Sequence, residues 1–153
     1  MRYFILLFCF LLVQSCKTND DIICYGDPIP SRIVFINLVD NDGNNLIENG
    51  TYNSDDIEVT FNGYTNPDPF FKNNPEFENL ILVTVVGNEG DNTYEIQLSN
   101  STTDILSLNL SGEFIGSEAC GSIFFKPNTA HYNGIAQTLE DFDTWNYLVT
   151  ITK

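Results

Sequence analysis

Four oxygen-bearing side chains lie close together in the sequence and could bind calcium. They are Asp40, Asp42, Asn44 and Glu48. Calcium takes about six to eight oxygen ligands, and an EF-hand loop supplies them from alternate positions, with Gly sixth and Glu twelfth. Counted from Asp40, these positions hold Asn45 and Thr51, so the EF-hand pattern fails. Because Asp and Asn before Gly also suit a tight turn, we predict a turn. Calcium is the alternative, with Asp55 and Asp56 as further ligands in that case.

Acidic side chains also cluster near Trp145, at Glu140, Asp141 and Asp143. Paired carboxylates beside an aromatic residue are typical of glycosidases. His131 is the only histidine, and no serine near it lies in the G-x-S-x-G pattern of a hydrolase nucleophile. The sequence also lacks a phosphate-binding glycine loop. We therefore expect no catalysis, and a small glycan-acting enzyme is the least favoured function.

The longest stretch without a regular apolar pattern, residues 64–77, contains three phenylalanines and three prolines. The prolines exclude regular strand structure over most of it. Phe70, Phe71 and Phe77 could form an exposed platform for a sugar ring or a protein partner. The alternative, which we predict, is that they fill one open end of the fold. If they are exposed, this loop is the candidate ligand-binding site.

The first 15 residues have the pattern of an export signal. A positive start at Arg2 precedes an apolar run, Tyr3 to Val13. The following Leu-Val-Gln-Ser-Cys, which overlaps that run and ends at Cys16, resembles the lipobox of bacterial lipoproteins. This resemblance implies cleavage before Cys16, a diacylglyceryl group on its thiol and a further acyl chain on its freed amine. Two or three chains, at ~0.8 kcal/mol per buried CH₂, anchor a protein stably. The alternatives are an ordinary secretory signal or a single N-terminal membrane anchor.

A short polar segment follows the predicted lipidation site and contains the acidic pair Asp20-Asp21. Acidic pairs at this place resemble the surface-export signal of lipoproteins in the Bacteroidetes group. The resemblance implies transport to the outer face of the outer membrane, and the alternative is a plain solvated linker. The predicted boundaries are residues 1–15 for the signal peptide, 16–23 for the lipidated cysteine and tether, and 24–153 for the folded domain.

Two cysteines remain in the predicted folded domain, Cys24 and Cys120. An exported chain meets an oxidising compartment, where paired thiols tend to form disulfides. A Cys24–Cys120 bridge would close a loop of about a hundred residues and contribute ~4.7 kcal/mol in the chain-entropy account. The alternatives are two buried thiols or a metal pair, but no CxxC spacing and no second histidine completes a zinc site.

Composition and periodicity predict one small all-β domain. The chain has 153 residues with 21 acidic and 6 basic side chains. Arg2 is the only charged residue among residues 1–15, so their removal leaves five basic and 21 acidic residues and a net charge of −16. Such a charge excludes nucleic acid as a partner. Alternating apolar residues recur at roughly ten-residue spacing, and we expect a single antiparallel β-sandwich of about seven to nine strands.

Segments early and late in the chain resemble a group of small Bacteroidetes lipoproteins. The late segments are Asp104 to Leu108, Cys120, His131-Tyr132-Asn133-Gly134 and the terminal Ile151-Thr152-Lys153, and the early ones are Cys24, Val39 to Ile47 and Tyr52. The resemblance implies a lipid-anchored sandwich of Ig-like or transthyretin-like type and carries no catalytic residue. We expect a surface-exposed module that binds a glycan or protein. The alternative is a periplasm-facing accessory subunit of an envelope assembly.

Overall fold

The computed structural model describes residues 31–71, 74–116 and 120–153, and their regular structure is almost entirely β-strand. A single 3₁₀ turn, Ser54–Asp56, accompanies ten strands in these ranges. The strands are β1 (Ile33–Val39), β2 (Glu58–Phe61), β3 (Tyr64–Asn66), β4 (Ile81–Thr84), β5 (Gly90–Ser99), β6 (Thr102–Ile115), β7 (Ser122–Tyr132), β8 (Ile135–Gln137), β9 (Glu140–Asp141) and β10 (Tyr147–Thr152).

The strands form two sheets, as the prediction of an all-β sandwich requires. One has four strands in the order β4-β1-β10-β9, and the other has six in the order β3-β2-β5-β6-β7-β8. All neighbours within the sheets are antiparallel except β1 and β10, which run parallel. The sequence predicted antiparallel pairing throughout. Parallel strands need a long connection, and almost the whole domain connects β1 to β10.

One apolar core lies between the two sheets. Residues of alternate positions in each strand contribute to it, because successive side chains of a strand point to opposite faces. On β5 the buried apolar positions are Tyr94, Ile96 and Leu98, and exposed or half-buried residues lie between them. On β1, β6 and β10 the core positions are Val34, Ile36, Leu38, Leu106, Leu108, Leu110, Tyr147, Val149 and Ile151.

Two-residue turns explain where the strand predictions were wrong. Asn62-Gly63 and Asn133-Gly134 have positive φ at both positions (49° and 79°, 50° and 80°), as a type I′ hairpin turn requires. The first turn creates β3, which lies inside the stretch predicted to be irregular. The second lies between β7 and β8 and brings Tyr132 opposite Ile135.

Strands β6 and β7 continue beyond the rest of their sheet. The pairing of β5 with β6 ends at Gly90 opposite Leu110, whereas β6 and β7 remain paired as far as Ile115 opposite Ser122. We call residues 111–116 and 120–126 the hairpin extension. Arg32, at the start of β1, forms an ion pair with Glu113 of this extension. Arg32 and the hairpin extension therefore lie at the end of the sandwich where the described chain begins.

A buried carboxylate fixes the opposite end of the sandwich. Asp104 is 6% exposed and accepts hydrogen bonds from Tyr132 Oη at 2.7 Å and Asn133 Nδ2 at 2.9 Å, and it pairs with Lys153. Burial alone would raise the pKa of Asp104, but the three donors outweigh it and hold the pKa below the ordinary value of 3.8. This lowered pKa means that the ionised group stabilises the fold above its unfolded pKa. The contribution is lost as the pH falls through the folded pKa.

Candidate functional site

An apolar groove of about 370 Å³ lies between the edge strands β3 and β4. Its walls include Val59 and Phe61 of β2, Tyr64 of β3, and Leu82, Thr84 and Val86 on or beside β4. This lining is mostly aliphatic and aromatic, whereas acidic and amide side chains predominate in two other depressions of the described surface, one near Asp55 and Asp68 and one near Asn44 and Asn45. A concave, mostly apolar site with few polar groups is the usual form of a ligand or peptide site.

The wall on β2 and β3 follows from the hairpin register. Val59 and Phe61 point to the core side of their sheet, and Tyr64 lies opposite Phe61 in the β2–β3 pairing. Tyr64 therefore faces the same side, but it is 76% exposed because β3 is the last strand of its sheet. Phe61 stacks on Tyr94 with ring centroids 4.7 Å apart. This stacking gives the groove a rigid aromatic floor.

The wall on β4 is a strand edge. Val85 N–H donates to the Arg32 carbonyl at 2.8 Å, so the backbone of residues 81, 83 and 85 faces β1. The backbone of Leu82, Thr84 and Val86 consequently faces outward. Leu82 N–H donates to the Pro69 carbonyl at 2.8 Å, which covers the beginning of this edge. β1 lies on the inner side of Thr84, and no described strand lies on its outer side, so its outward-facing N–H and C=O are available to a ligand.

The upper end of the β4 edge is fixed by Tyr94. Its hydroxyl donates to the Val86 carbonyl at 2.5 Å and accepts from Val86 N–H at 3.3 Å. Burial raises the pKa of Tyr94 to about 12, and the bond to Val86 only partly opposes this. The hydroxyl is therefore protonated at neutral pH and remains a donor. Thr84 is therefore the accessible backbone position of this edge, because Leu82 already bonds to Pro69 and Val86 already bonds to Tyr94.

The charge of the described surface favours a neutral or basic partner. Among the described basic residues, Arg32 and Lys153 are paired with Glu113 and Asp104, and Lys126 is the third. The whole chain has 21 acidic residues against 6 basic ones. Complementary charge increases the rate of encounter and suppresses wrong partners. An acidic ligand would meet repulsion over most of this surface.

The three predicted binding phenylalanines do not form a platform together, nor do they fill one end of the sandwich. Phe70 is half-buried against the main core. Phe77 covers the outer face of the four-stranded sheet and stacks on Phe35 with ring centroids 4.9 Å apart. Phe71 and Phe142 complete this aromatic cluster at 6.0 and 5.5 Å from Phe35. Phe71 is 39% exposed, so part of its ring remains open to solvent.

The loop that was considered for calcium is closed by its own hydrogen bonds. Asp40 Oδ1 accepts from the backbone N–H of Asp42 and Asn44 at 2.9 Å, and Asp40 Oδ2 accepts from Asn44 Nδ2 at 3.0 Å. The side-chain and backbone bonds from Asn44 lower the pKa of Asp40. Gly43 has a φ of 86°, a conformation that favours glycine. These contacts match the predicted turn. Within the described ranges no three acidic, histidine or cysteine side chains are grouped closely enough to bind a metal, Glu48 included.

The acidic cluster near Trp145 is also used for local structure. Asp143 Oδ1 accepts from the backbone N–H of Trp145 at 2.7 Å and of Asn146 at 2.8 Å, and these bonds lower its pKa. Glu140 and Asp141 form the short exposed strand β9. His131 is exposed on β7, opposite Ser107. None of the described depressions has walls containing a pair of these side chains.

The predicted lipidation and disulfide residues are only partly within the structure. Cys16 and Cys24 lie outside the described residues, and Cys120 follows residues 117–119, which also lie outside them. The lipid anchor and the Cys24–Cys120 bridge therefore remain predictions. In the part of the chain that is described, no helix is long and apolar enough to cross a membrane.

Comparison with known proteins gives no relative to which the chain can be assigned. No protein-family model matches it, and neither the curated proteins nor the solved structures include a significant match. The groove was missed by sequence reasoning, although one signal for it exists. Asn62-Gly63 between Phe61 and Tyr64 indicates a tight hairpin, which places an aromatic residue at a sheet edge.

Proposed function

We propose that this protein is a lipid-anchored, non-catalytic β-sandwich of the bacterial cell envelope. It is displayed on the outer face of the outer membrane and binds an extended segment of a protein partner in the groove between β3 and β4. The lipobox ending at Cys16 and the acidic pair Asp20-Asp21 support the anchor and the location. The resemblance to small Bacteroidetes lipoproteins with Ig-like or transthyretin-like sandwiches supports the same proposal.

The outward-facing backbone of Thr84 beside an apolar groove is the observation that carries the binding proposal. An extended peptide that joins a sheet edge gains main-chain hydrogen bonds, and its alternate side chains enter pockets. Tyr64, Phe61 and Val86 supply apolar contacts for those side chains. A glycan is the less suitable ligand, because specific recognition of a sugar needs several directed polar groups. Asn66 and Thr84 are the polar residues of this lining.

A periplasm-facing accessory subunit is the second candidate function. The same edge of β4 favours it, because strand addition also joins the subunits of envelope assemblies. The two candidates share the groove and differ in the side of the membrane on which it is used. Protease treatment of intact cells distinguishes them.

Site-specific photo-crosslinking in intact cells tests the groove. We expect a photoreactive phenylalanine analogue in place of Tyr64 to form an adduct with one partner. The same analogue in place of Ile135 should not, although Ile135 is 67% exposed. Adding Thr84→Pro to the chain labelled at position 64 should reduce the adduct about fivefold, because the one hydrogen bond that Thr84 N–H donates, worth ~1 kcal/mol, is lost. Proline is tolerated at an edge position whose N–H faces outward.

Two results would contradict the groove as the binding site. One is equal adduct formation from positions 64 and 135, which indicates non-specific contact. The other is an unchanged adduct in the Thr84→Pro chain, provided that circular dichroism and Tm match those of the parent. Val83 and Val85 bond to β1 and are not altered by this substitution.

A further inference from the structure

The hairpin extension exposes two large apolar side chains that face each other across its strands. Phe114 is 56% exposed, Ile123 is 64% exposed, and they are cross-strand partners. Gly121 allows the ring of Phe114 to lie against the hairpin backbone, since a Cβ on Gly121 would lie 2.1 Å from a ring atom. The ring is therefore held in a defined place while more than half of it remains exposed.

This apolar pair lies at the end of the sandwich where the N-terminal part of the chain arrives. Arg32 is 6% exposed, pairs with Glu113 and lies 4.8 Å from the ring centroid of Trp145. Glu113 directly precedes Phe114. The first described residues are thus attached to the hairpin extension beside Phe114, and the extension continues beyond the last pairing of β5.

The proposed anchor brings the bilayer to the same end. Fifteen residues separate Ser31 from Cys16, and a flexible segment of that length spans roughly 21 Å on average. The proposed Cys24–Cys120 bridge shortens the distance further, because Cys120 lies at the tip of the hairpin extension. Eight residues from Cys16 to Cys24 span roughly 15 Å on average.

We propose that the tip of the hairpin extension inserts Phe114 and Ile123 into the interfacial region of the bilayer that holds the lipid anchor. This inference rests on the proposed lipidation of Cys16 and adds a second membrane contact, which orients the domain. Aromatic and aliphatic side chains bind at the boundary of headgroups and acyl chains. A tethered site needs little intrinsic affinity, because the anchor supplies a high effective concentration of lipid.

A lipid surface suits this patch better than a protein partner does. A stable protein interface buries about 800 Å² on each side, whereas the exposed apolar surface at the tip comes mainly from two side chains. The described residues of the extension carry two charges, Glu113 and Lys126, and Glu113 is neutralised by Arg32. Residues 117–119, between the two described segments, add Glu118, so the charges of Arg32, Glu113, Glu118 and Lys126 sum to zero. The acidic character of the whole chain is therefore not concentrated at this end, which suits a zwitterionic bilayer.

Depth-dependent fluorescence quenching tests the inference on the full-length lipidated protein. Trp145 is the single tryptophan, so a W145F background is dark. In phosphatidylcholine–phosphatidylethanolamine vesicles, the tryptophan emission of the F114W/W145F chain should shift to shorter wavelength. The chain should lose most of its emission when the acyl chains are brominated near the headgroup. The matched control is I135W/W145F, because Ile135 is 67% exposed and Phe114 is 56% exposed. Ile135 pairs with Tyr132, which pairs with Leu106, eight residues or roughly 27 Å from Phe114 along β6. The emission of this control should not change.

Vesicle flotation of the same samples separates the possible failures. Unquenched emission from a floating F114W/W145F chain overturns the membrane contact and leaves the anchor intact. A chain that does not float contradicts lipidation of Cys16 and this inference together. A blue shift that depends on protein concentration and needs no vesicles would identify a second copy of the chain as the occupant, and it would also overturn the inference.

Discussion

Cys16→Ser should separate the protein from the membrane and remove its acyl chains. The thiol is the only atom of this residue that can accept the diacylglyceryl group, and serine cannot replace it. One acyl chain binds a bilayer with a constant on the order of 10⁴ M⁻¹, whereas two or three chains bind almost permanently. We expect the variant to lose the radiolabelled palmitate and to leave much less protein on the membrane after an alkaline carbonate wash. Its intact mass should be that of the unlipidated chain.

Cys9→Ser is the matched control for this experiment. Cys9 lies inside the apolar run of residues 3–13, so it is removed if cleavage occurs before Cys16. Its replacement should change neither the palmitate label nor the mass of the processed protein. Retention of the label in the Cys16→Ser chain would show that lipidation occurs elsewhere or not through this motif. The assignment of Cys16 as the lipidation site would then be wrong.

Removal of the Cys24–Cys120 bridge should produce the largest loss of stability. The bridge closes a loop of about a hundred residues, and we expect the double variant C24S/C120S to lose about 4 kcal/mol of unfolding free energy, or roughly 15 °C in Tm. The cross-link restricts the unfolded chain, and it also ties the tip of the hairpin extension. Beyond Leu110 the two strands of the extension pair with no other described strand.

Reductant provides the internal control for the bridge. It should lower the Tm of the parent to that of C24S/C120S and leave the double variant unchanged. Alkylation of the native parent should modify neither of these cysteines until reductant is added. Modification of both without reductant, together with an equal Tm for the two chains, would show that the cysteines are not bonded to each other.

Local patterns in the sequence were sufficient to predict the all-β fold class. The alternation of Tyr94, Ile96 and Leu98 with polar residues indicates a strand with one buried face, and the structure places these three residues in the core. The turn at Asp40 was also predictable, because its hydrogen bonds connect residues two and four positions apart. Such features depend on neighbours in the sequence.

Contacts between distant residues could not be predicted in this way. Arg32 and Glu113 are separated by 81 positions, and Asp104 and Lys153 by 49, so their pairing follows only from the assembled sheets. The parallel pairing of β1 with β10 has no local signal. Phe35 reads as an ordinary core residue of β1, yet it faces outward and is buried by Phe77 of the long loop. The groove could not be predicted either, because only the assembled sheets place β3 and β4 on its two sides.

Protease treatment of intact cells tests the central claim, that this domain is anchored on the outer surface as an interaction module. Cells expressing the parent protein are treated with a broad-specificity protease, and the remaining domain is detected by blot beside a detergent-opened sample and a periplasmic marker protein. We predict that the domain disappears from intact cells while the periplasmic marker survives. Survival of the domain until detergent is added would contradict surface display. The periplasm-facing subunit would then be the better account.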